Sequence, residues 1–187
     1  LLLHTEPGQV SVLAVGRLHP QKNFACLIEA FALLSEQRPD VSLTILGEGP
    51  ERPALQALIR KRGLDGRVFL PGVTRQIPSA MRSADILVVP SAWEGFGLVA
   101  IEGLMASLPV IVSDVDGLGE FVRNGAPMVT FPSGDVAALA ARIAELLDCP
   151  ERMAAMRGVA RAWAIEHYSL EAMARGYVDV YRRLLRL

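Results

Sequence analysis

The sequence predicts an α/β fold: a parallel sheet of about six strands, helices on both faces, and a helical C-terminal tail. Three observations predict it. Short runs of Val, Ile and Leu recur along the chain, each followed by a turn and then by helical spacing. The runs are short, mostly Val, Ile and Leu, as suits strands buried on both faces. Beyond Phe131 the runs stop and only helical periodicity remains.

The elements follow in order. Val10 to Val15 reads as the first strand, and Gly16 starts a turn. Gly16-Arg17-Leu18-His19-Pro20-Gln21-Lys22-Asn23 then leads into a helix from Phe24 to Ser35, with Asn23 as the expected N-cap. Val41 to Leu46 is the second strand, closed by Gly47-Glu48-Gly49-Pro50 and followed by a helix from Glu51 to Arg62. A short strand, Arg67 to Leu70, ends at Pro71-Gly72-Val73, and a short helix runs from Gln76 to Ser83. Ile86 to Val89 is the next strand. It ends at Pro90 and opens into a Gly-rich turn and a helix with Leu98, Ile101, Leu104 and Met105 on one face. Pro109 to Val112 and Met128 to Phe131 are the last strands, with a helical turn at Gly117 to Val122 between them. The tail is helical over Val136 to Leu147, Glu151 to His167 and Ser169 to Leu185. Pro150 fits a first helical turn, Ser169 an N-cap, and Glu171 the positive end of its helix. Tyr177, Val180, Tyr181 and Leu184 form a stripe expected to pack into a core.

Bulk properties narrow the function classes. A chain of 187 residues, 51% of them hydrophobic, fits one globular domain with a real core. Lys plus Arg number 19 and Asp plus Glu 20, giving 19 − 20 = −1, so no basic excess supports a nucleic-acid partner. Cys26 and Cys149 make no disulfide framework or zinc motif; Cys26 reads as a small buried hydrophobe, and a reducing cytoplasm is the expected setting. No apolar run approaches the ~20 residues that span a bilayer. Leu1 to Leu3 are followed too soon by Glu6, Pro7 and Gly8 to form a signal peptide. Residues 1–9 read as an interdomain linker remnant, residues 10–187 as a single domain, and the chain is expected to be a fragment of a longer protein.

Chemistry-bearing residues gather in the loops that leave the carboxyl ends of the strands, where parallel sheets bind ligands. Arg17 can fork to two phosphate oxygens, and Lys22 adds a point charge near a helix N-terminus. Two solvated surface cations are the plainer alternative. The loop is not a P-loop, since its second glycine is missing and Asn23 follows the lysine. Gly47-x-Gly49 lacks the third glycine of a dinucleotide fingerprint, because Arg52 stands there; its glycines are expected to permit close backbone approach. In Pro90-Ser91-Ala92-Trp93-Glu94-Gly95-Phe96-Gly97-Leu98-Val99-Ala100-Ile101-Glu102, one carboxylate lies in the turn and one on the helix, eight residues apart. The helix start suits a phosphate, and Glu102 suits a hydroxyl-rich ligand such as a ribose. A solvated glutamate pair beside a tight turn is equally compatible with these residues alone.

Taken together, four segments resemble the nucleotide-sugar-binding C-terminal domain of a family four GT-B glycosyltransferase. They are Gly16-Arg17-Leu18 with Lys22-Asn23, Gly47-Glu48-Gly49-Pro50, Phe69 to Val73, and Pro90-Ser91 through Glu94-Gly95-Phe96-Gly97 to Glu102, the family's Glu-x7-Glu motif. The resemblance covers nearly the whole chain and implies one Rossmann-like half of a GT-B fold. It implies that Arg17 and Lys22 hold the donor diphosphate and that Gly16 gives it room. Glu94 would contact the donor sugar, the backbone of Gly95, Phe96, Gly97 and Leu98 would meet sugar and phosphate, Glu102 would bind the ribose, and backbone at Val73 would meet the base. Arg17, Lys22 and Glu94 are thus the implied catalytic residues.

The implied enzyme is a retaining, hexosyltransferase-type enzyme that needs no metal or other cofactor. Its donor is a UDP-, GDP- or ADP-linked sugar, and its acceptor binds through an N-terminal domain absent from this chain. Cell-surface polysaccharide or glycolipid synthesis is the expected role, in the cytoplasm, with peripheral membrane contact at the inner face left open. A nucleotide-sugar epimerase, a phosphorylase-like relative and a non-catalytic binding module are the alternatives. The sequence departs from the family at Ser107-Leu108-Pro109-Val110, where Gly-x-Pro-Val is usual, and at Ala126-Pro127-Met128, where another glycine is usual. Both departures put local backbone geometry in question.

Overall fold

The computed structural model describes residues 8–185, so the linker expected at residues 1–9 lies largely outside the described residues. Six strands form one sheet: β1 (Val10–Val15), β2 (Val41–Leu46), β3 (Val68–Gly72), β4 (Ile86–Val89), β5 (Val110–Ser113) and β6 (Met128–Phe131). All pairings are parallel and the order is β3-β2-β1-β4-β5-β6. The fold class expected from the sequence is the one found.

Eight α-helices accompany the sheet: α1 (Phe24–Ser35), α2 (Arg52–Lys61), α3 (Ile77–Ser83), α4 (Leu98–Met105), α5 (Asp116–Arg123), α6 (Val136–Leu147), α7 (Pro150–Tyr168) and α8 (Leu170–Leu185). Strand pleating sends alternate side chains to opposite faces. Val12, Ala14, Leu43 and Ile45 meet α1, α2 and α6 on one face. Leu13, Leu46, Leu87 and Val89 meet α3, α4, α5 and α7 on the other. Burying a side chain the size of Phe24, Phe31 or Leu27 favours folding by roughly 1.5–3 kcal/mol each. Two-sided burial is therefore why the strands read as mostly apolar runs, and why even the polar Ser11, Ser42 and Thr44 within them are buried.

The strand order decides where a ligand can bind. From β1 the chain builds outward to β2 and β3, then returns to lay β4 against the other side of β1. Val12 pairs with Ile86 and Leu13 with Leu87 across this join. Successive crossovers thus diverge from the β1–β4 pair, and a crevice opens between the loops at their carboxyl ends.

Several local expectations are corrected. Asn23 is not a side-chain N-cap. It adopts a left-handed conformation with φ of 49°, and its side chain makes no capping bond. It joins a 3-10 turn, Pro20–Lys22, to α1, and asparagine tolerates that conformation better than most residues. β3 continues through Pro71 and Gly72, which is permissible because it is an edge strand. The short turn expected at Gly117 is a full helix, α5. Ser169 does cap α8, its Oγ accepting from the Ala172 amide at 3.1 Å. The stripe on α8 does not pack into a core: Tyr177, Val180, Tyr181 and Leu184 are 60%, 52%, 61% and 74% exposed. Amphipathic spacing marked an apolar face, but no described element of this chain covers it.

The two departures from the family pattern are accommodated differently. Ser107 takes φ of 61°, left-handed although it is not glycine. Ala126 is buried and its amide donates to Phe121 O at 2.9 Å.

Candidate functional site

The loops after β1 and β4 are fastened to each other across the crevice. The Ala92 amide donates to Gln21 O at 2.8 Å, and the Gln21 side chain donates to Trp93 O at 3.3 Å. Beside them the Lys22 ammonium forms a salt bridge with Glu94 Oε2. Ser91 Oγ donates to that same carboxylate oxygen at 3.2 Å. Ser91 is fixed in turn, because its carbonyl accepts from Ser113 Oγ at 2.6 Å and from Ser133 Oγ at 3.4 Å. The hydroxyls at Ser91, Ser113 and Ser133, and Gln21, were not singled out from sequence. The serines' signal is their place at or just after strand ends, which becomes informative once the strand order is known, while Gln21 lies in the 3-10 turn Pro20–Lys22.

The turn from Glu94 to Gly97 is shaped by α5 beneath it. Gly97 ends it at φ of 89°, a conformation that favours glycine. A side chain at Gly97 would run into Leu118, and one at Gly117 would run into the carbonyls of Glu94 and Gly95. The Gly117 amide donates to Glu94 O at 3.2 Å. α4 then starts at Leu98, so its first amides and its positive dipole end face the crevice. α4 itself lies close on the sheet, because Gly103 leaves no room for a side chain beside Leu87. Leu98 is 64% exposed and Phe96 47% exposed, while a side chain at Gly95 would meet nothing within 4 Å.

The glycines of Gly47-x-Gly49 serve the protein's own backbone. A Cβ at Gly47 would collide with the Gly16 carbonyl, and one at Gly49 with the Leu18 carbonyl. Hydrogen bonds accompany this approach: Gly16 N to Leu46 O at 2.9 Å, and Leu18 N to Glu48 O at 2.9 Å. Gly16, Arg17 and Val73 line one cleft of about 320 Å³ at the ends of β1, β2 and β3. Arg17 is exposed, and among the described residues it has no hydrogen-bond or ion-pair partner.

Glu102 stands on α4 beside a larger cleft of about 610 Å³, whose lining includes Val15, Ile77, Met81, Arg82 and Arg161. Val15 and Ile77 border both clefts, so the two adjoin. Glu102 stays exposed, but partial desolvation by its surroundings pushes its pKa up. Among the described residues its carboxylate has no hydrogen-bond or ion-pair partner, so it is free to accept from ligand hydroxyls. The structure therefore sets the residues singled out from sequence along one crevice. Gly16, Arg17 and Val73 line the smaller cleft, Glu102 the larger one that adjoins it, and Lys22 pairs with Glu94 where the β1 and β4 loops meet, just before α4 begins. This arrangement can hold an anion with cations and helix amides while carboxylates accept from a polyol. Among the described residues, no three His, Cys, Asp or Glu side chains are placed to share a metal ion.

Residues 4–163 match the family described as glycosyl transferases group 1. The chain is 33% identical to an alpha-D-kanosaminyltransferase of Streptomyces kanamyceticus, over 92% of this chain and 45% of the relative. It is 35% identical to a D-inositol 3-phosphate glycosyltransferase of Rhodococcus erythropolis, over 97% of this chain and 43% of the relative. It thus spans less than half the length of these relatives. Among solved structures, Anabaena HepE in complex with UDP superposes with a TM-score of 0.87 at 25% identity, over 94% of this chain and 49% of the other. A sucrose-phosphate synthase from Thermosynechococcus elongatus superposes with a TM-score of 0.80 at 29% identity, over 95% of this chain and 46% of the other.

Proposed function

The chain belongs to the group 1 glycosyltransferases, and from that premise we propose that it is the donor-binding domain of a retaining enzyme that transfers a sugar from a nucleoside-diphosphate sugar to an acceptor hydroxyl. One observation carries the reading: the Lys22–Glu94 pair sits in the β1–β4 crevice, directly before the N-terminus of α4. Cation, carboxylate and helix amides there match the parts of a sugar diphosphate in order.

In this reading Arg17, Lys22 and the first amides of α4 bind the diphosphate. Glu94 accepts from hydroxyls of the donor sugar, and Glu102 from those of the ribose. Gly16 gives the diphosphate room, and the base lies against the backbone at Val73. UDP is the favoured nucleotide, since the HepE structure that this chain resembles holds UDP. The bond from the anomeric carbon to the diphosphate oxygen breaks with its electron pair passing to the diphosphate. The acceptor oxygen then bonds to that carbon on the same face, and its proton passes to the departing phosphate. Negative charge grows on the diphosphate in the transition state, where preorganised cations and helix amides are most effective.

The acceptor site is assigned to a further domain, because the chain spans less than half of its relatives. This chain alone is accordingly expected to bind nucleotide without transferring sugar, and measurable turnover by it would count against the assignment. Polysaccharide or glycolipid synthesis on the cytoplasmic side of a membrane is the proposed setting; no helix among the described residues is long and apolar enough to cross one. Calorimetric titration with UDP, GDP and ADP tests the reading. UDP should bind, and the Arg17→Ala, Lys22→Ala double variant should lose that binding. Equal binding by the double variant would refute it.

A further inference from the structure

We infer that Tyr168 is a positioning residue whose ring, closing a three-ring cluster with Phe96 and Phe121, holds the Gly95–Leu98 turn in its binding conformation. The functional half of this inference rests on the donor-site reading above. A turn containing Gly95 and Gly97 has more backbone freedom than most, so something outside it must restrain it. A side chain at Gly95 would meet nothing within 4 Å. The side chain between the two glycines is Phe96, which is 47% exposed and yet not loose. Its ring meets Phe121 edge-to-face, with centroids 5.3 Å apart at 89°. It meets Tyr168 at 5.8 Å and 73°. Phe121 and Tyr168 close the triangle at 5.4 Å and 80°. All three contacts have the edge-to-face geometry that aromatic pairs favour.

The two partners come from different parts of the chain. Phe121 belongs to α5, is 2% exposed and is anchored in the core. Tyr168 is the last residue of α7, and extended backbone at Ser169 breaks the chain into α8 directly after it. Trp163 braces this corner, its ring 4.5 Å from His167 in a stacked pair and 5.5 Å from Tyr168. The corner between the last two helices is thereby pinned to the turn that opens α4. Tyr168 lies beyond the residues matched by the family, 4–163, and beyond every motif that marks the donor site.

Amide hydrogen exchange combined with UDP titration tests this on wild type, Tyr168→Ala, Tyr168→Phe and Met156→Ala. Met156→Ala removes apolar contact from α7 on the opposite side of the sheet. In Tyr168→Ala, exchange over residues 95–98 should rise about 10-fold while β1 and β2 stay protected, and UDP affinity should fall about 10-fold. Tyr168→Phe keeps the ring and should match wild type in both. If Tyr168→Ala does not fold, Tyr168→Leu replaces it with the same expectation. Unchanged exchange in the turn, an equal rise in Met156→Ala, or failure of Tyr168→Phe to restore protection would overturn the inference. Raised exchange with unaltered UDP affinity would overturn its functional half. If wild type binds no UDP, the donor-site reading fails instead, and the exchange pattern still decides whether Tyr168 holds the turn.

Discussion

Lys22 and Glu94, 72 positions apart in sequence, form a salt bridge across the crevice between the β1 and β4 loops. Their side chains are 18% and 12% exposed, so the pair is largely shielded from water. In the donor-site reading, Glu94 and the diphosphate compete for the Lys22 ammonium. Opposite effects should follow from removing each partner. Lys22→Ala deletes a charge-assisted contact and should weaken UDP binding about 10- to 100-fold. Glu94→Gln removes the competitor and should tighten UDP a few-fold, while abolishing any preference for UDP-sugar over UDP. Calorimetry with both ligands checks this, and weaker UDP binding by Glu94→Gln would contradict the competition.

Glu102 offers a test by pH. Partial desolvation raises its pKa above the ordinary value of 4.5. The folded state therefore holds this proton more tightly than the unfolded state, and stability falls as pH rises from the unfolded pKa through the folded one. Glu102→Gln abolishes that dependence. The variant should be more stable than wild type at pH 8, and the difference should vanish at pH 4. Denaturant midpoints at the two values measure it, with other carboxylates cancelling in the comparison. Because the same carboxylate is assigned to ribose, UDP affinity should fall about 10-fold despite the gain in stability.

Gly47 has φ of 151°, and a methyl group there would meet the Gly16 carbonyl. Gly47→Ala should cost roughly 2–4 kcal/mol, because backbone on both sides must move. It should also weaken nucleotide binding, since the displaced loop carries Arg17 and Lys22. Gly63→Ala is the matched control. Its φ is 65°, with nothing within 4 Å of the added atom. It should cost only about 1 kcal/mol and leave binding unchanged. Thermal unfolding with UDP titration separates the two.

These cases show what could be read from sequence and what could not. The strands were legible because parallel strands buried on both faces leave short runs rich in Val, Ile and Leu. Loops at their carboxyl ends followed from the alternation of strand and helix. Whether Gly47 and Gly49 face a ligand or another loop was not legible, since Gly16 and Leu18 meet them only after β1 pairs with β2. The Lys22–Glu94 contact likewise needs the crossover that places β4 beside β1. On α8 the spacing of Tyr177, Val180, Tyr181 and Leu184 identified an apolar face, but periodicity carries no information about what covers it. Asn23 was a reasonable N-cap by residue type; a preceding 3-10 turn leaves it in a left-handed conformation in which its side chain caps nothing.

Ser107 shows that a conformation can persist without the residue that favours it. It follows the end of α4 with φ of 61°, its amide donating to Leu104 O at 2.9 Å. The Leu108 amide reaches back to Gly103 O at 3.0 Å. These bonds close α4 in the way a C-terminal glycine usually does. A left-handed L-residue costs about 1–2 kcal/mol in local sterics. Glycine relieves that strain but gives the unfolded chain more freedom, which returns part of the gain. Ser107→Gly should therefore stabilise the protein by about 0.5–1 kcal/mol. Ser107→Val, which adds β-branching at the same φ, should destabilise it. Ser107 borders the cleft that contains Glu102, so UDP affinity serves as the second readout. If α4 is already closed correctly, both variants should bind UDP as wild type does. A change in affinity would mean that the strain at Ser107 is transmitted along the helix to its carboxylate.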